Sequence, residues 1–330
     1  MDGRGCGRTA AALLALGALL GMTACSGGGP EAEARTASAG RSTTTPAPTT
    51  TAAVTTTVAP TTTAAPPPAP PPTPPHAAAD PAGLAAQLAA AAQTLRDPAS
   101  TPEAVAAAAW LEQVAYRQLG DHPEWDADVL GALPVELQAS VQRNTAARRE
   151  FRGMATKISD TLPAWRIVDP LPAEELLGYY QEAEASLSVP WNYLAAINLV
   201  ETGMGRIVGL SVSGAQGPMQ FMPSTWEAFG DGGDVNNARD AVFGAARYLV
   251  HNGFTEGNVE GALFRYNNHP NYVRGVIDYA EEMAANPTAF AAYYHWQIYY
   301  LTTMGDVFLP VGYESPDRIP VADYLATHPQ

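Results

Sequence analysis

From about residue 81 onward, apolar residues recur at helical rather than strand spacing. Leu84, Leu88 and Leu95 punctuate one Ala-rich stretch, Trp110, Leu111, Val114 and Leu119 a second, and Leu137 and Val141 a third that runs into Arg148 and Arg149. Asp80-Pro81 and Thr101-Pro102 each set a capping side chain before a proline suited to the first helical position, and Leu133-Pro134 opens another helix. The stretch from Pro163 to Pro172 is a break. Further helices are predicted at Ala173–Ser186, Pro190–Thr202, Ser224–Phe229, Ala238–His251, Val259–Asn267, Asn271–Ala285 and Pro287–Tyr299. Alternating β-branched runs are nearly absent, so the pattern predicts an all-α fold. Beyond Thr302, four prolines and little periodicity predict an extended C-terminal tail over residues 301–330.

The first 80 residues follow another pattern. Arg4 and Arg8 precede a short apolar run, Ala10 to Leu20, then small residues up to Ala24-Cys25. This is the layout of an export signal, too short to remain as a membrane-spanning helix. It also resembles a bacterial lipoprotein signal, which implies cleavage after residue 24 and a lipid on Cys25. Between Thr43 and Pro75 stand 13 Thr, 11 Pro, 7 Ala and 2 Val and nothing else, a composition that cannot bury a core. As an extended tether, residues 26–80 would reach at most roughly 170 Å, and about 40 Å as a random coil. The expected order is a signal peptide over 1–24, a lipid-attachment cysteine and tether over 25–80, an accessory helical region over 81–168, a chemistry-bearing domain over 169–300 and the tail. The expected location is outside the cell membrane, anchored to it and facing outward.

Charge narrows the partners. The chain carries −15 with a single lysine, Lys157, and from Leu171 onward 6 Arg stand against 18 Asp and Glu. Phosphate backbones require clustered Lys and Arg, so no nucleic acid is expected as a partner. Both cysteines, Cys6 and Cys25, precede residue 26, which excludes a disulfide framework or a cysteine zinc site in the folded part. The six histidines show no metal-ligand spacing, and no metal or cofactor is expected. Asp231 to Asn237 faintly suggests a calcium loop, but the twelfth position is Val242 where a bidentate glutamate is needed.

One acidic residue stands where an aliphatic one belongs. In the helix from Pro190, Leu194, Ile197 and Glu201 share one stripe, and the first two mark it as core-facing. Gly203 and Gly205 end the helix, which puts Glu201 in its last turn, near the negative end of the dipole. Burial and dipole both disfavour ionisation, and a carboxyl kept protonated near neutrality is suited to general acid work. A glutamate that reaches solvent at the helix end is the alternative. After it, Ser211 to Trp226 forms a glycine-punctuated loop that presents Gln220 and Met222 and enters a helix at Pro223. Tyr266-Asn267-Asn268 then ends a helix, followed by Tyr272-Val-Arg-Gly-Val.

Glu-Thr, then Ser-x-x-Gly-Ala-x-Gly-x-Met-Gln-x-Met-Pro-x-Thr, then Tyr-Asn resembles the lysozyme-like domain of soluble lytic transglycosylases and goose-type lysozymes over about 185–285. Pieces of the tail, Tyr294-His-Trp-Gln-Ile-Tyr and Leu309-Pro-Val-Gly-Tyr, resemble actinobacterial members. The resemblance implies cleavage of peptidoglycan glycan strands between N-acetylmuramic acid and N-acetylglucosamine. Glu201 matches the catalytic acid, Ser211 the serine that orients N-acetyl groups, Gln220 and Met222 the groove lining, and Tyr266 the tyrosine near the acid. Asn267 follows as in the family, as a support of the fold. Thr202 replaces the usual Ser, Pro218 the usual Leu and Asn268 the usual Ala. One extra residue precedes Gly214, so Ser213 is an alternative to Ser211.

Two alternatives stand beside this expectation. A hydrolytic muramidase would need a second carboxylate to activate water, for which Asp231 and Asp234 are the candidates, although Asp-Gly-Gly-Asp reads first as a turn. A catalytically silent wall-binding lipoprotein would keep the fold without the chemistry.

Overall fold

In the computed structural model, residues 72–330 are described; the expected signal peptide, Cys25 and nearly all of the tether lie outside them. Helix starts follow the capping chemistry. In α1 (Pro81–Arg96), Asp80 Oδ1 accepts from the Gly83 amide at 2.9 Å, and in α2 (Pro102–Asp121), Thr101 Oγ1 accepts from the Ala104 amide at 3.2 Å. After a short α3 (Asp126–Ala132) comes α4 (Val135–Gly153). The later helices are α5 (Ala173–Leu187), α6 (Trp191–Thr202), α7 (Pro223–Phe229), α8 (Ala238–His251), α9 (Val259–Tyr266), α10 (Pro270–Ala285), α11 (Ala289–His295) and α12 (Val321–Thr327). The protein is mostly helical with little sheet, as the periodicity predicts.

Helix α6 is the centre of the packing: Asn192 and every residue from Leu194 to Thr202 are buried. α5 packs on α6 and α8, and α10 lies between α6 and α4. One hydrophobic core runs from Leu84 on α1 through Phe151 on α4 to Val276 on α10 and Trp296. The described residues accordingly fall in a single compact unit, with α1–α4 sharing the core of the later helices.

The tail departs from the expectation. Residues 301–330 are not an extended loop: β4 (Ile298–Thr302) and β5 (Gly305–Leu309) form an antiparallel hairpin, and β6 (Ile319–Pro320) leads into α12. All five residues of β4 are buried, so its two faces carry no polar–apolar alternation and the period of two is invisible. The same hairpin ends the helix expected over Pro287–Tyr299 at His295. Two further two-residue pairings brace it, β1 (Thr161–Leu162) against β6 and β2 (Arg166–Ile167) against β3 (Ile207–Val208). Together these strands enclose a small second core containing Leu162, Ile167, Ile207, Ile298, Tyr300 and Leu309. Arg117 of α2 and Arg148 of α4 both reach Oδ2 of Asp306 on β5, at 2.5 and 2.7 Å, and tie the N-terminal helices to the hairpin.

Candidate active site

Glu201 is the penultimate residue of α6 and has no accessible surface. The helix ends there because Gly203 takes a left-handed conformation (φ 60°), and a Cβ on it would meet Ile298 Cδ1 at 2.5 Å. The Glu201 Oε1 atom accepts a hydrogen bond from the Tyr272 hydroxyl at 2.9 Å, while Oε2 is buried with no partner. Burial pushes the carboxyl pKa up to about 8, against a smaller lowering by the Tyr272 bond. The sequence argument for a raised pKa thus rests here on desolvation.

The following loop is fastened to the same helix. Thr202 Oγ1 and Asn198 Nδ2 donate to the Pro218 carbonyl at 2.6 and 2.8 Å, and Asn198 Oδ1 accepts from the Tyr180 hydroxyl at 2.6 Å. Thr202 therefore does its work through the hydroxyl it shares with serine. Gly217 (φ 74°) passes so close to the Val235 carbonyl that a Cβ would lie 2.0 Å from that oxygen. Gln216 and Phe221 exchange backbone hydrogen bonds of 3.0 and 2.9 Å, closing a tight turn over 217–220. Within it Gln220 is forced to φ 50°, and its Nε2 donates to the Gly217 carbonyl at 2.9 Å. Ser211 Oγ accepts from the Ala215 amide at 2.9 Å, which closes the first half of the loop.

Gln220, Met222 and Tyr266 come together, with Thr225, Tyr248 and Arg265, around one small cleft. Ser211 and Glu201 are not among its walls. The Tyr266 hydroxyl donates to the Met219 carbonyl at 2.8 Å rather than to Glu201, and its ring lies parallel to that of Tyr272, centroids 6.4 Å apart. Ser213 is exposed and Ser211 half-buried; Asn267 is buried at the end of α9. A separate cavity of about 550 Å³ is bounded by Leu171, Leu176, Asn198, Met204 and Pro218.

Tyr272 is the residue that sequence reasoning passed over. Its signal was present: Pro270 starts α10, and Tyr272, Val276, Tyr279 and Met283 form a buried stripe along it. A tyrosine at the head of such a stripe needs a partner for its hydroxyl.

The two aspartates considered as a second carboxylate lie elsewhere in character. Asp231 is exposed, 3.9 Å from Arg247, and takes φ 53° in a turn. Asp234 is exposed, and its Oδ1 accepts from the Asn236 amide at 2.9 Å. Both are turn residues by geometry. Among the described residues no group of three or more His, Cys, Asp or Glu could hold a metal ion.

A fully buried acid lies at the end of the central helix, beside a glycine-bearing loop fastened to that helix. Residues 178–288 match the family model of the transglycosylase SLT domain. That stretch, from α5 to just short of α11, is a lysozyme-like domain of the lytic transglycosylase superfamily, and the match supports action on peptidoglycan. Comparison with curated proteins and with solved structures gave no match.

Proposed function

We propose that the protein is a peptidoglycan lytic transglycosylase that cleaves the β-1,4 bond between N-acetylmuramic acid and N-acetylglucosamine with one carboxyl group, Glu201. The observation that carries this reading is the state of that carboxyl: buried, raised to about 8, Oε1 occupied by Tyr272 and Oε2 without a partner. A proton held near neutrality belongs on Oε2, where it can be given to a glycosidic oxygen. The bond from that oxygen to C1 of the muramic acid then breaks, its electron pair leaving with the oxygen, and an oxocarbenium-like C1 remains. Glu201, now ionised and still accepting from Tyr272, takes the proton from the same sugar's C6 hydroxyl as O6 closes onto C1. Intramolecular attack has a high effective molarity, so no second carboxylate is needed to activate water. The product is a 1,6-anhydro sugar.

The remaining residues are assigned as substrate contacts. Ser211 accepts a loop amide and keeps its O–H for an N-acetyl carbonyl, and Gln220 keeps its amide oxygen after donating to Gly217. Met222 and Tyr266 wall the cleft beside Gln220. Glu201 has no accessible surface in the free protein, so glycan binding has to move the side chains that cover it. Residues 169–300 would form the catalytic domain and 81–168 its accessory helices, while a lipid on Cys25 and a tether to residue 80 would hold both at the outer face of the membrane. Cys25→Ser should then release the processed protein from the membrane fraction; retention would refute the anchor.

The test of the reaction is digestion of purified peptidoglycan by the full-length protein and by Glu201→Gln. The wild type should release anhydro-muropeptides and the variant essentially none. Release by both would remove Glu201 from the mechanism, and release by neither would favour a binding protein without catalysis.

A further inference from the structure

The surroundings of Tyr272 extend beyond residues 178–288. Phe151, near the end of α4 and 1% exposed, sets its ring edge-on to Tyr272, centroids 6.5 Å apart and planes at 82°. The same ring stacks on Tyr279, about two turns further along α10, at 5.6 Å and 21°. Between the two tyrosines lies Gly275, where a Cβ would come within 2.6 Å of two Phe151 ring carbons. The phenyl ring therefore fills the space that glycine leaves open. Its neighbour Glu150 fixes the same turn: the Glu150 carbonyl accepts from Asn271 Nδ2 at 3.1 Å, and its carboxylate takes two bonds of 2.7 Å from Arg274. Two consecutive residues of α4 thus hold residues 271, 272, 274 and 275 of α10.

A hydroxyl hydrogen bond is directional, and a side chain in the first turn of a helix has little of the helix behind it to fix its orientation. Tyr272 is held on one face by the parallel ring of Tyr266 and at another by Phe151. We propose that Phe151 is a positioning residue: it locks the Tyr272 ring in the orientation that donates to Glu201 Oε1, which makes α4 part of the active-site support. The proposal rests on the reading of Glu201 as the acid. The groups that interact electrostatically with Glu201 and Tyr272 are Tyr266 and Tyr248, while the charged pair on the α4 side, Glu150 and Arg274, is mutually bonded. The Tyr272 bond opposes the rise that burial imposes on Glu201, so loosening Tyr272 moves the Glu201 midpoint upward.

The experiment uses the full-length protein with Phe151→Leu, Gly275→Ala, Tyr272→Phe and their combinations. Val141→Ala serves as a control, since Val141 is a buried α4 residue with none of these ring contacts. Gly275→Ala leaves no cavity and crowds the ring instead of removing it, so it keeps the question open to measurement if Phe151→Leu does not fold. The Glu201 midpoint is followed through its carboxyl ¹³C resonance, assigned by its loss in Glu201→Gln, and turnover is measured in parallel. Phe151→Leu and Gly275→Ala should both raise the midpoint and lower kcat about tenfold with KM nearly unchanged. Neither should move the midpoint further in the Tyr272→Phe background. Val141→Ala should lower the melting temperature and leave the midpoint alone. An unchanged midpoint in both folded variants, or an equal shift in Val141→Ala, overturns the proposal. Because the midpoint is read without turnover, a wild-type protein that titrates as described but cleaves nothing would refute the acid assignment separately.

Discussion

Among the described residues Glu112, Glu201 and Glu282 are buried and Asp306 is half-buried, and Asp306 and Glu201 are treated in opposite ways. Asp306 on β5 lies between Arg117 and Arg148, both on its Oδ2. Burial alone would raise its pKa, but those guanidinium groups and Arg152 hold it below the usual carboxylate range, so it stays charged. Glu201 has no cation beside it, only one neutral hydroxyl, and burial lifts it to about 8. Asp306, which joins helices to a hairpin, is paired with cations, and Glu201 is left with a donor too weak to ionise it. On the proposed mechanism, the contrast separates a structural acid from a chemical one within the same fold.

Replacing each group should therefore damage different properties. Glu201→Gln keeps the shape without the proton, and turnover should fall by roughly 10²–10⁴-fold or further, measured as muropeptide release. Its stability should move the other way. The folded-state pKa of Glu201 lies above its ordinary 4.5, so its contribution is intact below that pH and is lost as pH rises through about 8. The advantage of Glu201→Gln in denaturant melts should grow between those limits, reaching roughly a few kcal/mol at the alkaline end. Asp306→Asn should do the reverse, with unfolding free energy reduced by about 3–5 kcal/mol as two guanidinium groups lose their counter-charge. Turnover per folded molecule should hardly change; a selective loss of turnover would break the distinction.

Smaller effects sharpen it. In the wild type, kcat/KM should fall as pH rises through about 8, where free Glu201 loses its proton. Tyr272→Phe removes the one bond that favours ionised Glu201, so the alkaline limb of that profile should move up by roughly one unit, with kcat lower by about tenfold. A downward movement would mean that Tyr272 acts on the substrate rather than on the acid. Asp231→Asn and Asp234→Asn, both in an exposed turn, should leave turnover within a few-fold; a collapse in either would favour the two-carboxylate hydrolase.

Glu201 and the helix starts at Asp80-Pro81 and Thr101-Pro102 could be read from the sequence because each is a local departure from pattern, a charge on an apolar stripe or a cap before proline. The β4–β5 hairpin could not, since burial of every β4 residue erases its alternation. Short α3 was hidden for a related reason, with Val129 its only buried residue and therefore no stripe. The site was legible as a set of types but not as a set of bonds. The sequence suggested Tyr266 for the neighbour of the acid, yet its hydroxyl serves the Met219 carbonyl and Tyr272 takes the place at Glu201. Phe151 carries no chemical signal at all; its contact with Tyr272 joins residues 121 positions apart and exists only once α4 lies on α10.

The central claim is that one carboxyl group acts as acid and then as base, with the sugar's own C6 hydroxyl as nucleophile. Digestion of peptidoglycan by the full-length protein in H₂¹⁸O, followed by mass spectrometry of the released muropeptides, tests it most directly. The account predicts products about 18 Da lighter than the hydrolytic ones, with no ¹⁸O at the cleaved bond, because no water is added there. Reducing-end products carrying one ¹⁸O would show that water is the nucleophile and contradict it.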